Sequence, residues 1–160
     1  FVPAPVDVTF LEDFRALPQA LPRVRPTIFF SVPRFYEKVW DRFQAGAGGR
    51  LYAAVRAPGG RASLLRGAVD PLLRRILLRR AGLDGCAQLI VGSAPCPPGL
   101  LARFGSLGIE LHNAFGLTEA PLVTFNREGA NHIGTVGAPL PRTEVRLAEE
   151  NGRYARIAGN

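Results

Sequence analysis

Apolar positions along the chain recur with two different periods, and their alternation predicts a succession of strands and helices. Residues 6–11 form a short apolar run that reads as a strand. Asp13 can cap a helix running towards Val24, which Pro18 and Pro22 would shorten or break. Residues 27–32 (Thr-Ile-Phe-Phe-Ser-Val) are dense in β-formers and apolar on both faces, the pattern of a buried parallel strand. Pro33 suits a first helical turn, and Phe35, Tyr36, Val39, Trp40 and Phe43 then recur along one broad helical face. The glycine-rich residues 45–60 predict a mobile loop.

Asp70-Pro71 reads as a cap followed by a first-turn proline, with Gly82 ending that helix. Residues 87–91 are a second buried-strand candidate, broken at Gly92-Ser93-Ala94-Pro95. A helix from Pro97 or Pro98 to Ser106 follows. Residues 109–113 return as a strand that ends at Phe115-Gly116, after which the helical period stops. Residues 123–125, 143–147 and 153–157 read as strands joined by turns. The fold class expected is α/β, a mostly parallel sheet with flanking helices over residues 6–114, followed by a β-rich tail.

Composition changes this picture little. Hydrophobic residues make up 47% and charged residues 21%, ordinary for a globular chain with a core. No apolar run approaches the roughly 20 residues that span a bilayer. Cys86 and Cys96 are too few for a disulfide framework and have no zinc-like spacing, so reduced thiols in a cytoplasmic protein are the simpler expectation. The chain has no Met and looks cut from something longer.

The net charge of +7 is carried almost wholly by arginine, Lys38 being the single lysine. Arg61, Arg66, Arg74, Arg75, Arg79 and Arg80 cluster where Leu65, Val69, Leu72, Ile76 and Leu77 fall at helical spacing. Such a face is either simply solvated or a peripheral contact for anionic lipid headgroups at the inner membrane face. No aromatic residues interleave with the basic ones, so nucleic acid is not expected as a partner.

Two loops carry candidate chemistry, both where a predicted strand leaves an open parallel sheet. In Gly92-Ser93-Ala94-Pro95, small residues let a flat ring or a phosphate approach the backbone; a tight turn after a strand has the same appearance. Asn113-Ala114-Phe115-Gly116-Leu117-Thr118-Glu119 joins an aromatic ring, a glycine, a hydroxyl and a carboxylate. Phe115 can stack on a purine, Thr118 can donate to a phosphate, and Glu119 can hold Mg²⁺, a hard cation that shares oxygen ligands with phosphates. The alternative is a core aromatic followed by a capping Thr and Glu.

Phe115-Gly116-Leu117-Thr118-Glu119 resembles the Tyr-Gly-x-Thr-Glu signature of adenylate-forming enzymes. Gly92-Ser93-Ala94-Pro95 resembles the Gly-Gly-Ala-Pro adenine-side loop of the same superfamily. Residues 134–141 (Gly-Thr-Val-Gly-Ala-Pro-Leu-Pro) resemble its Gly-x-Val-Gly-x-Pro-x-Pro segment. Residues 25–39, with Val32-Pro33-Arg34 and Glu37-Lys38, are similar to a segment of long-chain acyl-CoA synthetases. The three signatures stand in the family's order, and the resemblance runs from about Val6 to the end.

The resemblance implies an AMP-forming acyl-CoA ligase that turns a fatty acid and ATP into acyl-adenylate and pyrophosphate, then transfers the acyl group to coenzyme A. It implies that Phe115 stacks on adenine, Thr118 contacts phosphate, Glu119 binds Mg²⁺, Gly116 gives close backbone approach, and Gly92, Ser93, Ala94 and Pro95 wall the nucleotide pocket. Residues 1–160 would then be part of the large adenylation domain. The phosphate loop would lie upstream and the small C-terminal domain with its lysine downstream, leaving this piece inactive alone. Phe115 replaces the family's Tyr, and Arg142 stands where Gly is common. Alternatives of other kinds are an adenylating enzyme for another acid, or a noncatalytic module that binds a nucleotide or a membrane.

Overall fold

β-Formers in runs of four make the central strands, and the helices between them cover one face. The computed structural model describes residues 7, 9–57, 65–150 and 154–159. After a 3₁₀ turn at Phe14–Ala16 come α1 (Leu17–Val24), β1 (Ile28–Ser31), α2 (Pro33–Ala45), α3 (Ala47–Arg56) and α4 (Arg66–Ala81). Then follow β2 (Gln88–Val91), α5 (Pro98–Gly105), β3 (His112–Phe115), β4 (Thr124–Phe125), β5 (Ala138–Pro139), β6 (Val145–Glu150) and β7 (Tyr154–Gly159). One sheet has the order β1-β2-β3-β4-β5, and β6-β7 form a separate two-stranded sheet. Strands β1, β2 and β3 are parallel; β3-β4 and β4-β5 are antiparallel. The expected α/β core with a β-rich tail is thus the observed architecture.

Side chains alternate across a strand, and here the two faces meet different fates. Leu89 and Val91 point to the helices and are buried with Tyr36, Trp40, Phe43, Leu73, Leu77 and Phe104. The Tyr36 hydroxyl donates to the Ile90 carbonyl (2.9 Å), tying α2 to the sheet at the middle of this core. Ile28 and Phe30, on the opposite side of β1, are 60% and 51% exposed. The expectation of a strand buried on both faces is corrected: among the described residues β1 is parallel and lies at the sheet's edge, with no helix over the face that carries Ile28 and Phe30.

Three further expectations change. No strand forms over the described part of residues 6–11; Val6 and Val8 lie outside the described residues, as does Arg61. The glycine-rich stretch expected to be a loop is largely α3, because its glycines are packing residues. A Cβ on Gly48 would sit 2.5 Å from the Phe43 ring, and one on Gly49 would strike the Gln44 backbone. Val55 then buries on the core side. Finally, α4 begins at Arg66 and holds Pro71 in its interior, so Asp70 does not cap it. Asp70 instead accepts a two-pronged ion pair from Arg56 (2.9 and 3.1 Å), which fixes this part of α4 against α3. Gly82 does end the helix, in the left-handed region at φ 71°.

Candidate functional site

The parallel strands deliver their carboxyl ends side by side, at Ser31, Val91 and Phe115. The Gly92 N–H extends the ladder by one bond to the Ser31 carbonyl (3.2 Å), and the chain then leaves the sheet at Ser93, whose φ is 61°. Gly92 is needed there: a Cβ would meet the Ala114 carbonyl at 2.7 Å and the Phe30 ring at 3.1 Å. After β3 the chain turns at Gly116, where a Cβ would collide with the Pro121 carbonyl. The turn closes through Leu117 N–H to the Ala120 carbonyl (2.8 Å) and Val123 N–H to the Phe115 carbonyl (2.8 Å). The glycine of this motif therefore serves the loop's own closure.

Between these two loops lies a cavity of about 440 Å³, within the size range of small-molecule sites. Ser93, Phe115, Gly116 and Thr118, all expected site residues, line it. Gly92 is buried beneath them, while Ala94, Pro95 and Glu119 are exposed and not in the lining. Phe30, Ala114, Leu117, Pro121 and Leu122 complete it. Sequence reading missed these five. The signal for Phe30 was its even position on β1, which turns it to the side away from the helices.

The two readings of the Phe115 loop now separate. Phe115 stands outside the buried core cluster and forms no aromatic pair among the described residues. No helix follows Thr118 and Glu119, so they cap nothing. Both are exposed, and Glu119 has no ion-pair partner among the described residues. No group of three or more His, Cys, Asp or Glu side chains is placed to hold a metal ion among the described residues. The exposed Glu119 carboxylate, next in the chain to cavity-lining Thr118, still suits Mg²⁺, which takes its remaining oxygens from phosphates and water.

The third signature lies against β4. Gly134 and Gly137 have φ of 90° and 83°, and the Thr135 carbonyl accepts from the side-chain amides of Asn113 (2.9 Å) and Asn126 (3.0 Å). Arg142 adopts φ 66°, the backbone a glycine would take, so the departure from the signature leaves the turn in place. Both cysteines are free thiols. Burial, and then the charge of Asp84, pushes Cys86 up to about 11; burial and then Glu37 push Cys96 up. Neither is poised as a nucleophile at neutral pH.

A family model described as AMP-binding enzyme matches residues 3–159. Among curated proteins, the long-chain-fatty-acid–CoA ligase FadD15 of Mycobacterium bovis is 32% identical over 169 residues, covering 94% of this chain and 28% of that protein. Human long-chain-fatty-acid–CoA ligase 6 is 31% identical over 152 residues, covering 88% of this chain and 22% of that protein. The chain thus spans about a quarter of the length of these relatives. Among solved structures, apo MatB from Rhodopseudomonas palustris superposes with a TM-score of 0.54 at 17% identity, over 89% of this chain and 24% of that one. A benzoate CoA ligase from Burkholderia xenovorans LB400 gives 0.50 at 25% identity, over 88% and 22%.

Proposed function

We propose, from the premise that this chain belongs to the AMP-binding enzyme family, that it forms part of the adenylation domain of an ATP-dependent long-chain fatty acid–CoA ligase. The observation that carries this reading is the meeting of Ser93, Phe115, Gly116 and Thr118 around one cavity at the carboxyl ends of parallel strands. The names of the curated relatives support a fatty acid as the carboxylate.

In the reaction, a carboxylate oxygen forms a bond to the α-phosphorus of ATP and the α–β bridging P–O bond breaks, releasing pyrophosphate. The coenzyme A thiol, losing its proton, then attacks the acyl carbon and AMP departs. Phe115 offers its ring to the purine, with Ser93 lining the cavity across from it above the buried Gly92. Thr118 donates a hydrogen bond to a phosphate oxygen, which orients the transferring group. Glu119 would hold Mg²⁺, which when bound offsets the charge on the phosphates.

The test uses the full-length protein containing this chain, assayed with ATP, Mg²⁺, coenzyme A and palmitate. Glu119→Ala should cut pyrophosphate release by about 100-fold or more with an unchanged circular dichroism spectrum. Phe115→Tyr should be nearly neutral, and Phe115→Ala should mainly raise the KM for ATP, by about fivefold, the loss of one stacked ring. A Glu119→Ala enzyme at the wild-type rate would remove that carboxylate from the site. Exposed Arg75 and Arg79 on α4, on the same helical face as a half-exposed Leu72, further support peripheral contact with anionic lipid. Cosedimentation with phosphatidylglycerol vesicles, set against phosphatidylcholine, tests that contact.

A further inference from the structure

The described residues bury five polar side chains, and three of them, Asn113, Thr124 and Asn126, turn on one irregular segment. Asn126 is wholly buried. Its Nδ2 donates to the Thr135 carbonyl (3.0 Å), its Oδ1 accepts from the His132 N–H (3.2 Å), and its own N–H donates to the Asn113 carbonyl (2.9 Å). The Asn113 amide donates to the same Thr135 carbonyl (2.9 Å), so both lone pairs of that oxygen are used. The Thr124 hydroxyl donates to the next carbonyl, Val136 (2.8 Å). At Gly137 a Cβ would run into the backbone of Phe125 and Asn126, so the segment lies directly on β4.

This clamp bears on the cavity because β3 is otherwise lightly held. It pairs with β2 at only two positions, His112 and Asn113, and with β4 at two others, Ala114 and Phe115. Phe115 is one full strand repeat beyond Asn113. Apolar residues would fill the same volume, but they would not select one placement for a loop without regular hydrogen bonding. A wholly buried amide partnered at both its nitrogen and its oxygen, as that of Asn126 is, does select one.

We propose that Asn126, acting with Asn113 and Thr124, is a positioning residue for the nucleotide: it fixes the 132–137 segment to β3 and β4 and so sets where Phe115 and Thr118 present themselves to ATP. The proposal rests on the ligase reading above. A small displacement of Phe115 and Thr118 weakens nucleotide binding while leaving coenzyme A recognition alone, and that asymmetry separates positioning from mere stability.

The experiment measures steady-state kinetics and melting temperature in the full-length protein. Asn126→Ala should raise the KM for ATP by about tenfold, with the KM for coenzyme A within about twofold of wild type. Thr124→Val, which removes one hydroxyl with little change of shape, should raise the KM for ATP by about threefold and serves if the first variant folds poorly. A lowered melting temperature with an unmoved KM for ATP in either soluble variant would make the clamp purely structural and overturn the proposal, as would loss of soluble protein in both. A wild-type protein that releases no pyrophosphate would sink the ligase reading and this proposal together. Wild-type turnover with an unmoved KM would sink the positioning role alone.

Discussion

Ser93 and Arg142 hold φ of 61° and 66°, a region that costs a residue with a Cβ roughly 1–2 kcal/mol. Both stand where the resembling signatures have glycine. Glycine gives back about 0.4–1 kcal/mol of that through its freer unfolded chain. Arg142→Gly should therefore stabilise the fold by about 0.5–1 kcal/mol, and Ser93→Gly by about the same, as read from urea denaturation midpoints at constant slope. At Cys86 the prediction concerns pH. Alkylation needs the thiolate, and with the thiol pushed up to about 11 its iodoacetamide rate should keep rising with pH well beyond 9. Peptide mass spectrometry would follow Cys86 separately from Cys96. Because the folded state holds this proton more tightly than the unfolded one, the associated stability is intact below about 8.5. It is lost as the pH climbs towards about 11.

Among the elements, α3 and α4 depend most visibly on one guanidinium. Arg56 grips Asp70, donates to the Ser106 carbonyl (2.7 Å) at the end of α5, and lies 3.9 Å from the Tyr52 ring centroid. Asp70→Asn should cost about 1–2 kcal/mol and Arg56→Ala about 2–3 kcal/mol, since each leaves a half-buried charged or polar partner without its mate. A double-mutant cycle by chemical denaturation would measure the coupling. This pair also explains what the sequence could not disclose. Asp70 before Pro71 is locally a helix cap, and only the partner fourteen residues away moves the helix start to Arg66. The glycines at 48 and 49 look like loop residues until Phe43 and Gln44 are seen against them. By contrast, β1, α2, β2 and α5 were legible because their apolar period and their bounding prolines agree. The loops around Ser93 and Phe115 were legible as composition. Phe30, Leu122 and the Asn126 clamp were not, since strand pairing across long separations assembles them.

At the scale of the molecule, the cavity is lined by the loops after β2 and β3 together with Phe30 of β1 and Ala114 of β3. Residues 1–160 alone should show no acyl-CoA formation and weak ATP binding, because catalysis by several groups held in register falls away faster than their number. Calorimetric titration with ATP checks this, and low-micromolar binding would mean a more self-contained site. The pairing of β1 with β2 has a consequence for synthesis. Ile28 meets Gln88, sixty residues later in the chain, with three helices in between. At roughly 5–20 residues per second, β1 would wait about 3–12 s for its neighbour to be made. Through that interval the edge of Ile28, Phe29 and Phe30 that β2 will cover has no β2 partner, a natural landing place for a chaperone and a step at which slowed translation would affect yield.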